Sequence, residues 1–118
     1  MLKSSAPMRF FYSLNEILER RLEGKSPYWE FLRIPAMSSG VYVLPCGATD
    51  AQTPHAEDEI YYVVSGSARM SIAQQNGEPL DREVRSGDLI FVPARQEHRF
   101  HSIREELTLL VIFAPAET

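Results

Sequence analysis

The sequence predicts a mainly β fold, a small barrel or sandwich with one helix outside it. Three observations carry this expectation. Short β-rich runs follow one another after Pro27, clusters of Gly, Ser, Asn and Pro punctuate them, and one amphipathic run precedes them. At 118 residues the chain suits one domain whose core needs no staples.

The helix comes first. Ser13 followed three residues later by Glu16 reads as a capping box, in which each side chain satisfies a free backbone N–H. Leu14, Ile17, Leu18 and Leu22 mark one face, and Gly24 offers a left-handed stop. Residues 1–9 are expected to fray. Strands are expected at 28–34, 40–44, 59–65, 68–73, 81–84, 89–92, 98–103 and 107–113, with turns at 38–40, 65–67, 76–77, 86–88 and 93–97. Asn76-Gly77 is a hairpin signal, since both residues tolerate positive φ. Met70 and Ile72 alternate with Arg69 and Ser71, as in a strand with one buried face, and the apolar run 107–113 reads as sheet interior or subunit contact. Phe91 and Phe100 are expected in the core or a pocket wall, and Cys46 as a buried, inert thiol.

Composition excludes several functions. The net charge is -4 and the arginines are scattered, so no basic face for nucleic acid emerges. No run of about 18 apolar residues is present, and the N-terminal stretch lacks the apolar core of a signal peptide. With Cys46 as the single cysteine, the expected location is the cytoplasm. No phosphate-binding glycine loop or nucleophile elbow is present.

The chemistry concentrates in two stretches. In PHAEDEIYYVVSG, His55, Glu57 and Glu59 alternate, so an extended chain points all three to one face, and Tyr61 and Val63 share that parity. In GDLIFVPARQEHRFHSI, His98 opens a strand whose inward residues include Phe100, while His101 points the other way. Two imidazoles and a carboxylate are a ligand set for a divalent first-row metal. Tyr61 reads as a core aromatic or as a hydroxyl facing a ligand. Arg95 reads as a solvated loop residue or an attractor of anions.

These stretches resemble the two cupin motifs. Gly47, His55, Glu59 and Gly66 fall on the spacing of the first, and Gly87, Pro93 and His98 on that of the second. Thr53 stands where the first motif has its leading histidine, Arg95 where the second has a glycine, and Ser102 where it has an asparagine. The resemblance implies a single-domain cupin β-barrel (a double-stranded β-helix, or jelly roll), with an arm and helix over 1–34 and the barrel over 40–114. It also implies metal ligation by His55, Glu59 and His98, the family's fourth ligand being absent at Thr53. The ion would be Fe, Mn, Ni or Zn. That ion is expected to be held by the triad, or to be recruited through Glu57, Gln52 or water, or else the pocket works without metal. Glu57 and Tyr61 are the acid/base candidates. The expected function is binding or conversion of a small organic molecule in the barrel, as a dioxygenase or isomerase. The alternative is a non-catalytic or metal-free binding module. A homodimer is expected, with neither nucleic acid nor membrane as partner.

Overall fold

A computed structural model describes residues 9–118, so the expected fraying of residues 1–9 lies outside the described residues except at Arg9. The helix α1 spans Leu14–Gly24. Six strands follow: β1 Tyr28–Ile34, β2 Met37–Leu44, β3 Asp58–Ile72, β4 Leu80–Arg85, β5 Leu89–Val92 and β6 His98–Ala114. They form one antiparallel sheet in the order β1-β2-β6-β3-β4, with β5 also on β3. The long strands β3 and β6 bend and pair along nearly their whole length, which rolls the sheet into a barrel.

Only half of the capping box forms. The Ser13 hydroxyl accepts from the Glu16 N–H at 3.5 Å, but the Glu16 carboxylate is drawn 3.0 Å from Arg9. The left-handed stop falls one residue later than expected, on Lys25 at φ 59°, whose N–H caps the Arg21 and Leu22 carbonyls. Ile17 buries while Leu22 stays 64% exposed, so the helix seats only its first turns on the sheet.

The two strands expected at 59–65 and 68–73 are one strand, and so are those at 98–103 and 107–113. Turn residues at 65–67 bend the chain without ending it, because Gly66 takes φ +95° and lets β3 lie against the Glu106 backbone. The pairing register shifts on both sides of this bend. The β3–β4 connection is longer than a two-residue hairpin, since Ile72 pairs with Leu80, and of Asn76 and Gly77 only the glycine has positive φ.

The core joins the inward residues of every strand, among them Tyr61, Val63, Met70, Phe100, Leu107 and Leu109. The run 107–113 is sheet interior, between β2 and β3. One expectation is narrowed here and another corrected. Phe91 is not in the core but 60% exposed, because Val92 has the inward parity of β5, and Phe91 lines an outer cavity instead. Cys46 is exposed in the turn after β2, where its thiol reaches the Arg104 carbonyl.

Both departures in the second motif sit in left-handed backbone, Arg95 at φ 64° and Ser102 at φ 50°. A side chain is disfavoured there, so Arg95→Gly is expected to stabilise the fold by about 0.5 kcal/mol net of the glycine's chain entropy. Calorimetry should show Tm raised by about 2–4 °C. A lower Tm would mean that the exposed Arg95 side chain itself supports the turn.

Candidate functional site

The segment between β2 and β3, residues 45–57, has no regular structure of its own and is fixed by one buried carboxylate. Asp50 Oδ1 accepts from the Tyr42 hydroxyl at 2.8 Å, and Oδ2 accepts from the Phe100 N–H and the Gln52 amide, each at 2.9 Å. This ties the segment to β2 and β6 and presents Gln52 and His55 to the end of the barrel. Asp50 lies at a position where the first motif specifies no residue type. Its burial, the property that matters, has no signature in a stretch that reads as a polar loop.

His98 opens β6 and is buried. Its Nδ1–H donates to the Gln96 carbonyl at 2.7 Å, which leaves the Nε2 lone pair turned inward. There the Tyr61 hydroxyl lies 3.0 Å away and Glu59 Oε1 lies 3.4 Å away. Burial lowers the pKa of His98, but Glu59, the Gln96 carbonyl and the field of Asp50 outweigh it, and the net direction is upward. Tyr61 is fully buried, and burial together with Glu59 holds its hydroxyl well above the usual range, so it stays a donor. The Tyr61 ring packs edge-on to Phe100 in the core, and its hydroxyl lies between Gln52 and His98. Glu59 is 2% exposed, and its Oε1 has no hydrogen-bond donor.

His55 is half-buried, with its ring edge-on to Phe113. Its Nδ1 lies 3.0 Å from Glu117 Oε2 and its Nε2 lies 3.1 Å from Gln52 Oε1. Glu117 arrives on the C-terminal tail, which returns over the barrel end. Its N–H donates to the Ser38 hydroxyl at 2.9 Å, and its carbonyl accepts from Arg33 at 2.8 Å. Burial, with Glu57, Glu59 and Glu30 near, raises the Glu117 carboxyl against the opposing pull of His55. Residue spacing gives no hint of this pairing, which exists only because the tail folds back.

Glu57, just before β3, is buried like Glu59, but its carboxylate accepts from the Thr118 N–H and hydroxyl at 3.1 and 2.9 Å. Thr53 is exposed and borders an outer groove with Gln52 and His98. Arg95 is exposed, and its backbone N–H donates to the His55 carbonyl.

The polar groups open on a cavity of about 150 Å³, walled by Tyr28, Tyr42 and Phe113 and faced by Gln52, His55, Glu59 and Glu117. The Tyr28 hydroxyl is buried there without a partner. Among the described residues, no three His, Cys, Asp or Glu side chains already enclose a point that could hold an ion. The His55 and His98 rings stand 6.3 Å apart, and Gln52 and Tyr61 bridge them. A larger cavity of about 610 Å³, lined by Met70, Val84, Leu89 and Phe91 among others, lies away from these groups.

Residues 40–113 match the profile of the cupin domain. The chain is a cupin. This cupin is 40% identical to an uncharacterized protein of Streptomyces coelicolor over 107 residues, covering 91% of this chain and 97% of that one. Among solved structures, a Bacillus halodurans protein aligns over 97% of this chain and 86% of its own, with TM-score 0.75 and 16% identity, a likeness of fold alone. Oxalate decarboxylase of Bacillus subtilis aligns over 69% of this chain with TM-score 0.63 and 28% identity. This chain spans only 22% of the length of that enzyme. One matched structure of the decarboxylase is described through its Mn(II) centers.

Proposed function

We propose that this cupin binds a divalent first-row metal through His55, Glu59 and His98 and holds a small organic molecule beside it, as a dioxygenase or isomerase. One observation carries the reading. A carboxylate oxygen, Glu59 Oε1, is buried beside an imidazole lone pair with no donor to satisfy it. Leaving such an oxygen unsatisfied costs about 1–3 kcal/mol or more, and a cation removes that cost. The donor set also fits, since two imidazoles and a carboxylate suit Fe, Mn, Ni or Zn. The likeness to a decarboxylase with Mn(II) centers supports the same reading.

Such an ion, when bound, supplies Lewis acidity or a site for O₂ chemistry. The chain's own residues supply the rest. Glu117 takes the Nδ1–H of His55 and so aims its Nε2 inward, as second-sphere carboxylates commonly do. Tyr61 holds a proton at its hydroxyl, within reach of His98 Nε2, and is the acid/base group. Glu57 assists at one remove by holding Thr118, and with it the tail that carries Glu117. Tyr28 offers the ligand an unused hydroxyl, and aromatic side chains wall the cavity. A cavity of about 150 Å³ is below the size of drug-binding pockets and limits the ligand to a few heavy atoms.

Protein purified without a histidine tag is expected to carry near-stoichiometric metal by elemental analysis, and stripped protein should regain Tm when Mn²⁺, Fe²⁺, Co²⁺, Ni²⁺ or Zn²⁺ is added. No gain with any of them sinks the reading. A second reading, a non-catalytic binding module, holds if Gln52 Oε1 accepts a proton from His55 Nε2, a bond that ties His55 into the site without an ion. Saturable ligand binding with no product across a metabolite panel would select it.

The same strands support self-association. Ile60 pairs with Phe91 and Tyr62 with Leu89, an exposed apolar ladder on the face opposite Glu59 and Tyr61. We infer a homodimer across this ladder. Sedimentation of a monomer at micromolar concentration would overturn it.

A further inference from the structure

We propose that the side-chain oxygen of Gln52 is the fourth metal ligand of this cupin, in place of the histidine that Thr53 replaces. The inference rests on the metal-centre reading above and goes beyond it in naming a ligand at a position where the first motif specifies no residue type.

The orientation of the Gln52 amide follows from its neighbours. Asp50 Oδ2 is a carboxylate oxygen 2.9 Å from one end of the amide, and a carboxylate accepts only, so that end is the NH₂. The second proton of the NH₂ reaches the Tyr61 oxygen, also at 2.9 Å. Gln52 Oε1 therefore points at His55 Nε2, 3.1 Å away. Glu117 takes the Nδ1–H of His55, so in the neutral ring Nε2 bears a lone pair as well. Two acceptors then face each other with no proton between them.

The same mismatch recurs beside them. His98 gives its Nδ1–H to Gln96, and its Nε2 lone pair faces Glu59 Oε1 at 3.4 Å. The Tyr61 hydroxyl is the one donor in the cluster and can satisfy a single acceptor. Glu59 Oε1, on a carboxylate 2% exposed, is left with none. Lone pairs on Gln52, His55, Glu59 and His98 thus meet in two neighbouring pairs with one proton among them. A divalent cation resolves all four at once, whereas protons would have to sit on both His55 Nε2, for Gln52, and His98 Nε2, for Glu59. Thr53 cannot share the task, being exposed outside the cavity. Asp50 is the positioning residue, holding the amide so that its oxygen, not its nitrogen, faces inward.

The test uses Mn²⁺ and needs no substrate. Water-proton relaxation of the Mn²⁺-loaded wild-type protein counts the waters on the ion. Four protein ligands leave two water positions on an octahedral ion, and three leave one more. Gln52→Leu should weaken Mn²⁺ binding by at least about 10-fold and add a coordinated water. Wild-type protein with the larger water count, or a folded Gln52→Leu protein with affinity and water count unchanged, overturns Gln52 as ligand and leaves the triad standing. If Gln52→Leu does not fold, the wild-type count decides alone. If wild-type protein takes up none of Mn²⁺, Fe²⁺, Co²⁺, Ni²⁺ or Zn²⁺, the metal centre falls and Gln52 with it.

Discussion

Replacing Glu59 with glutamine is expected to move the metal-free and metal-loaded forms of this cupin in opposite directions. Without metal, the wild-type carboxylate is buried with an oxygen that nothing satisfies. Glutamine removes that charge, and its NH₂ can donate to His98 Nε2, the atom now 3.4 Å from Glu59 Oε1. Metal-free Glu59→Gln should therefore be more stable than metal-free wild type by about 1–3 kcal/mol, a Tm higher by several degrees. With Mn²⁺ present the order should reverse. On the proposed reading the variant loses the one anionic ligand of the triad, so affinity should fall by more than about 100-fold, or about 2.7 kcal/mol. The Tm gain on adding Mn²⁺ should shrink accordingly. Thermal melts of both proteins with and without Mn²⁺ decide it. A metal-free variant less stable than wild type would show that the carboxylate is already satisfied by the protein.

The second large effect is expected at Gly66, far from the motif histidines in role but bound to them by the barrel. A Cβ at Gly66 would lie 2.1 Å from the Glu106 carbonyl oxygen and 2.8 Å from Leu107 Cα, at φ +95°. Both obstacles are backbone, so no side-chain rotation relieves them. Gly66→Ala should cost about 3 kcal/mol or more and lower Tm on the order of 10 °C. Gly77→Ala is the control. Its φ is +111°, but the added Cβ meets nothing within 4 Å, so it should cost only the backbone strain, about 1 kcal/mol. Urea unfolding of the two variants separates clash from strain. Equal losses would mean that β3 can shift away from Glu106 at no cost.

Much of the barrel was legible because local chemistry encodes it. Strand parity placed Glu59, Tyr61 and Val63 inside, and all three are buried. The same rule misplaces Phe91 only when a core role is read from its apolarity, since Val92 holds the inward parity. The Ser-Gly-Ser cluster at 65–67 reads as a turn. Whether such a cluster ends a strand or bends it depends on what the strand meets there, which is the Glu106 backbone.

The sequence by itself determined the helix start at Ser13, the inward face of β3 and the ligand-type residues His55, Glu59 and His98, because spacing and side-chain chemistry are properties of short stretches. Only the tertiary structure decided which donors and acceptors meet. It brought Glu117 from the tail to His55, Thr118 to Glu57, and Asp50 to Gln52, Tyr42 and Phe100. Hydrogen-bond complementarity between distant segments leaves no periodicity to read, and it is what leaves the lone pair of Glu59 without a donor.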